Sequence, residues 1–112
     1  MKTVFQKIID GEIPSMPVYR DDKCIAIKDI SPQAPVHILL IPIKPIPRLS
    51  LATQEDAELL AHLMLTAPKI AKEQGLQDGF RIVVNNGIIA GETVPHLHIH
   101  ILGGRQMAWP PG

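Results

Sequence analysis

"HLHIHIL", His96 to Leu102, sets three imidazoles in strict alternation with aliphatic residues before the chain turns wholly apolar. A period of two belongs to a strand, whose successive side chains point to opposite faces. The pattern puts His96, His98 and His100 on one side and Leu97, Ile99 and Ile101 on the other. The aliphatic side can pack under helices, whereas the imidazole side has to meet solvent, a ligand or other polar groups.

Working outward from this strand, "FRIVVN" (80–85) is a second apolar β-type run, joined to it by the glycine-containing loop Asn85 to Pro95. Further upstream, "PVYRD" and "CIAIK" read as a hairpin with Asp21, Asp22 and Lys23 as the tight connection. "DISPQAP" (29–35) is a loop because a strand interior would not tolerate its prolines, and "VHILLIPI" resumes the sheet. "KPIPRLS" is a second proline-rich connector.

Two helices complete the chain. Thr3 and Gln6 have capping-box spacing before the stripe Val4, Phe5, Ile8, Ile9, and Gly11 can end the helix in a left-handed conformation. Thr53 caps a longer helix running to about Gln74, with Leu60, Met64, Ala67 and Ala71 on one face and Gly75 as its stop. Pro68 falls inside it. An interior proline costs about 3 kcal/mol, which predicts a kink around Met64 to Pro68. Strands outnumber helices, and their connections are mostly too short for parallel crossovers. The fold class is therefore α+β, a largely antiparallel sheet with helices on one side.

The chain has 112 residues, 46% of them hydrophobic and 20% charged, the balance of one folded domain. Eleven basic residues match eleven acidic ones, so no positive field is present to gather a nucleic-acid backbone. Cys24 is the single cysteine, which excludes an internal disulfide. It reads as a small buried hydrophobe of a reducing compartment. Lys2, Lys7, Asp10 and Glu12 interrupt the span a signal peptide would need, and no run approaches the roughly 18 to 20 apolar residues of a membrane helix. The expectation is a soluble cytoplasmic protein that meets neither membrane nor nucleic acid.

A lone histidine on a strand is usually without chemistry, but three in alternation gain nothing in packing that valine or threonine would not supply better. Zinc is one candidate occupant. At about 3.3 Å per residue, His96 and His100 stand about 13 Å apart, so two would bind and His37 or another group would have to complete the set. The alternative is nucleophilic catalysis by the middle imidazole. If Nδ1 of His98 donates to a backbone carbonyl, Nε2 offers its lone pair to an electrophile, while His96 and His100 bind the oxygens around it. Phosphorus bearing anionic oxygens fits such a row. In "NNGIIAGET", Gly87 and Gly91 let backbone N–H groups approach an anion, with Asn85 and Thr93 as side-chain donors.

"HLHIHIL" resembles the His-φ-His-φ-His-φ-φ signature of the histidine triad family, φ being apolar. "DISPQAPVHILLIP" and "ILGGRQMAWPPG" further resemble its branch of nucleoside phosphoramidases, the histidine triad nucleotide-binding proteins, over nearly the whole chain. The resemblance implies a single domain over 1–112 with a five-stranded antiparallel sheet, joined across a homodimer into ten strands. It also implies hydrolysis of purine nucleoside 5′-phosphoramidates (conjugates of AMP or GMP) with no cofactor and no metal; a zinc- or nucleotide-binding interaction module with little catalysis is the alternative. His98 would be the nucleophile, His100 and His96 would assist at the phosphate and leaving group, and His37 would order the triad. Asp29 would bind the ribose hydroxyls, Asn85, Gly91 and Thr93 the phosphate, and Phe5, Ile8, Ile27, Ile30 and Leu39 would line the base pocket. Arg105, Gln106 and Trp109, in the 103–112 tail, would help set leaving-group specificity across the dimer. Thr93 stands where the family usually has serine, Pro95 where an aromatic precedes the triad, Asn86 where an acid is common and Ile27 where phenylalanine is frequent. His62 matches nothing functional and reads as a helix-surface residue.

Overall fold

The computed structural model describes all 112 residues, Met1–Gly112. Helix α1 (Val4–Ile9) leads into strands β1 (Tyr19–Arg20), β2 (Cys24–Lys28) and β3 (Val36–Pro42), then α2 (Ala57–Glu73), β4 (Arg81–Val83) and β5 (Ile99–Gly103). The strands form one five-stranded sheet in the order β1-β2-β3-β5-β4 with every neighbour antiparallel. The α+β class and the five strands are as the sequence predicts.

Local chemistry explains the elements. Thr3 Oγ1 accepts the Gln6 N–H at 3.1 Å, and Gly11 closes α1 with φ +80°. The β1–β2 turn is wound on Asp21, whose Oδ1 accepts the N–H groups of Lys23 and Cys24, both at 2.8 Å. A 3₁₀ turn at Gln54–Asp56 feeds α2, where Asp56 accepts the Thr53 N–H at 2.9 Å. Gly103 is required by close approach, since a Cβ there would meet Leu76 Cδ1 at 2.7 Å.

Alternation along the strands splits the interior in two. Cys24 and Ala26 of β2, Ile38 and Leu40 of β3, and Ile99 and Ile101 of β5 pack with Leu63, Ala67, Ile70 and Ala71 of α2. On the other face Ile25, Ile27, Leu39 and Ile41 pack with Phe5 and Ile9 of α1. The two helices therefore cover opposite faces, which corrects the expected one-sided arrangement. The reason is that β2 and β3 are buried on both faces nearly throughout, Lys28 at the end of β2 and Val36 at the start of β3 being the positions that are not, so each strand has two faces to cover.

Two further expectations change, and Pro68 does not interrupt α2, which runs through it as one element. Pro68 and Met64 lie on its exposed side, so the Met64 carbonyl left without a partner can be hydrated. Met64 is 53% exposed, because the buried stripe is centred on Leu63, Ala67 and Ile70 and places Met64 on its margin. Finally, β5 begins at Ile99: the Leu97 N–H bonds Ile46 and the His96 N–H bonds Val94, so the first two histidines precede the ladder.

Candidate active site

The histidine side of β5 faces α1. His100 pairs with Leu39 across the ladder, and the His98 and His100 rings are 5.0 Å apart. The Phe5 ring of α1 lies steeply inclined to the rings of His98 and His96, with centroids 4.8 and 6.2 Å away. The alternation of faces persists beyond the ladder, since Leu97 joins the α2-side core while His96 and His98 stay with Phe5. This histidine row is interior rather than surface: His96 is 1% and His98 8% exposed.

Backbone partners fix the proton positions. His98 Nδ1 lies 2.8 Å from the His96 carbonyl, which only accepts, so Nδ1 carries the proton and Nε2 the lone pair. No protein group bonds that Nε2, and it is not among the occluded polar atoms. His37 Nδ1 accepts the Gln33 N–H at 3.0 Å, so its proton sits on Nε2 and is donated to His100 Nδ1 at 2.9 Å. His100 in turn keeps its proton on Nε2, a buried donor with no partner. Burial, helped by the neighbouring His98 and His37, pulls His100 down to about 4, so it is a neutral donor. The site thus holds one free lone pair and one free N–H on adjacent rings, awaiting an electrophile flanked by an acceptor oxygen.

His96 differs from its expected role. Its Nε2–H is spent on the Pro42 carbonyl at 2.8 Å, leaving buried Nδ1 as an unpaired acceptor with no proton to give a leaving group. Burial also holds its pKa below the usual imidazole range.

Asp29 accepts the Ser31 N–H through Oδ1 at 2.8 Å, capping its loop, while Oδ2 lies 3.4 Å from His37 Nε2. Asp29, His37 and His100 bring one ligand atom each within 4.8 Å of one another, a set able to hold a metal. Phe5, Ile27 and Leu39 are buried together with Ile8 packed against them. Ile30 is not part of this apolar group; it is fully solvent-exposed, because the Asp29–Ser31 turn directs it outward. Gly91 takes φ +98° with the Asn85 side chain beside it, and Thr93 is exposed at the end of the same loop. Trp109 is 83% exposed, and of the tail side chains Arg105 reaches the Gln33 carbonyl at 3.3 Å.

Sequence reasoning did not identify the clamp on the glycine loop. Arg48 Nε and Nη2 grip Glu92 at 3.0 and 2.8 Å, and Glu92 Oε1 also accepts the Gly87 N–H at 3.0 Å. The hydrogen bonds from Arg48 and Gly87 hold the Glu92 carboxyl below its usual range. Nothing in sequence links a connector arginine to a loop glutamate 44 positions away. His62 was also misread: it is half-buried and 2.7 Å from Asp21 Oδ2.

A model of the HIT domain matches residues 10–107. An uncharacterized HIT-like protein of Synechocystis sp. is 60% identical over 98% of this chain and 96% of its own length. A 14 kDa zinc-binding protein of Zea mays is 50% identical over 98% of this chain and 88% of its own. The crystal structure of a HIT family hydrolase from Legionella pneumophila superposes with a TM-score of 0.96 at 46% identity, covering 99% of this chain and 100% of that one. The signature read from His96 to Leu102, the sheet that carries it and these similarities agree, and the chain belongs to the HIT domain family.

Proposed function

We propose that the protein is a hydrolase cleaving the P–N bond of purine nucleoside 5′-phosphoramidates through a covalent nucleotidyl-His98. The observation that carries this reading is the pairing of the His98 Nε2 lone pair with the unpartnered His100 Nε2–H. The lone pair attacks phosphorus as the P–N bond breaks, and the amine leaves with that bond's electrons and takes a proton from water. His100, held in its tautomer by His37, donates to a phosphoryl oxygen as charge builds. Water then attacks the same phosphorus and loses a proton, the P–Nε2 bond returns its electrons to the ring, and the nucleoside monophosphate departs. His96 positions this machinery through its bond to Pro42 and leaves an acceptor for a water or hydroxyl.

Phe5, Ile8, Ile27 and Leu39 offer an apolar wall for a flat base, Asp29 an acceptor for ribose, and Asn85, Gly91 and Thr93 donors to phosphate. A homodimer fits the unpaired edge of β4 and the exposed Met64 and Leu65 of α2, and it would give Trp109 and its tail a partner site to reach. Incubation with an adenosine phosphoramidate is expected to release the monophosphate and to leave a trappable phosphate-labelled adduct on His98. Absence of the adduct in active protein would overturn the covalent route.

A second reading, zinc held by Asp29, His37 and His100, is favoured by their 4.8 Å cluster and by the zinc-binding name of the maize relative. Activity that survives chelation excludes it as a catalytic requirement.

A further inference from the structure

On the sheet face away from the histidines, three residues of different chemistry meet where the β1–β2 turn touches α2. Asp21 and Cys24 flank the turn, and His62 reaches them from α2. A carboxylate oxygen, the thiol sulfur and an imidazole nitrogen all lie within 4.8 Å of one another. Cys24 Sγ is 3.4 Å from Asp21 Oδ1, and His62 Nε2 is 2.7 Å from Asp21 Oδ2. On a tetrahedral zinc ion, sulfur and oxygen ligands stand about 3.5 Å apart, a spacing the thiol has to Oδ1, whereas the imidazole contact is to the other oxygen, Oδ2, so the two edges of the carboxylate face the two remaining ligands. The imidazole contact is a hydrogen-bond length and must widen by about 0.6 Å to admit an ion.

We propose that Asp21, Cys24 and His62 bind one divalent cation of the zinc class, with water in the fourth position. The thiol is fully buried, whereas the His62 and Asp21 side chains are 31% and 21% exposed, which gives the ion an entrance and the water its place. Carboxylate and thiolate neutralise the two positive charges, and imidazole adds a neutral ligand, a donor set of intermediate softness. The carboxylate is already oriented: Oδ1 by the N–H groups of Lys23 and Cys24, Oδ2 by the Tyr19 hydroxyl at 2.8 Å.

The proton count closes. Burial, with Asp21 and then Asp22 beside it, pushes the thiol up to about 12, so the empty site holds S–H. As the metal–sulfur bond forms, that proton goes to solvent. The His62 proton, now donated from Nε2 to Asp21, moves to Nδ1 as Nε2 takes the ion. One proton is released per ion bound. A loaded site ties the hairpin to α2 and stabilises the fold by mass action.

The test is a cobalt(II) titration of the whole protein without substrate. Expected is a sulfur-to-cobalt charge-transfer band that saturates at one equivalent, disappears on zinc addition and is absent in Cys24→Ser. His62→Gln, at a half-exposed position, should weaken binding by about a hundredfold or more while far-ultraviolet circular dichroism stays unchanged. His37→Phe, which disrupts the only other donor cluster, should keep the band. No band in wild type, or equal affinity in His62→Gln, overturns the site. Should Cys24→Ser fail to fold, His62→Gln and Asp21→Asn decide the matter. The band is read without turnover, so loss of the proposed phosphoramidase reading leaves it intact.

Discussion

His37 and Ile38 are neighbours on β3, yet they look into different interiors. Ile38 faces α2 and a core of thirteen buried residues in which the only titratable group is Cys24. His37 faces α1 and a smaller core of six, bordered by the histidine row. On the α2 side the buried cluster is apolar apart from the Cys24 thiol, and no buried polar atom there lacks a partner. On the α1 side two buried nitrogens, His96 Nδ1 and His100 Nε2, lack any partner. Each such orphan costs about 1–3 kcal/mol, so one face yields stability that the other spends on a poised site. What the contrast teaches is that the unpartnered imidazole atoms are confined to one strand face, so the bulk of the stability and the reaction proposed for His98 are separable by face.

That separation can be broken from either side. The largest effect is expected for His98→Ala, which removes the nitrogen proposed to attack: kcat/KM should fall by about 10⁴-fold or more, far beyond any loss of folded protein from truncating this buried ring, checked by monophosphate release and by denaturant titration. The opposite pattern is expected for Leu40→Ala, fully buried against α2. It should lose about 2–5 kcal/mol of stability, with activity per folded molecule near wild type. His37→Phe places a somewhat larger flat ring in the same site and removes the donor that sets the His100 tautomer. Activity should fall about a hundredfold with adduct formation slowed, and an unchanged rate of trapping would show that His100 needs no such control.

The smallest effect sharpens the comparison through pH. The His100 pKa is lowered in the fold, to about 4, so the unfolded chain, with its imidazole near 6.5, binds the proton first on acidification. Its contribution to stability is complete above 6.5 and is lost progressively as pH falls toward 4. His96, lowered by burial, acts in the same direction. Denaturant midpoints measured across this window should decline, and His100→Asn should flatten the decline. A Leu40→Ala protein should keep the wild-type slope, because the lesion lies on the other face.

Much of this was legible in the chain. "CIAIK" gave β2 residue for residue, because β-branched and apolar residues between a turn and a proline loop leave one solution. The three histidines were legible as a row for the same reason. The one-sided helix arrangement was not borne out, because short strands with apolar residues on both faces do not say which helix covers which face. Nor did the sequence signal the Arg48–Glu92 clamp, the His62–Asp21 contact or the outward turn of Ile30. Each depends on chain segments brought together by the sheet or on a local turn angle, and neither leaves a periodicity to read.

The sequence by itself determined that there are five strands and two helices and that the imidazoles alternate, since these follow from local periodicity and residue type; the family came from the resemblance of the His96–Leu102 signature and from the similarities to known proteins. Only the tertiary structure decided which ring nitrogen carries each proton. The carbonyls of His96 and Pro42 and the Gln33 N–H supply that information; the bonds to His98 and His37 are local in sequence, whereas Pro42 meets His96, and His37 meets His100, only once distant chain segments come together. An imidazole's chemistry is set by the partner of its other nitrogen, and folding chooses that partner.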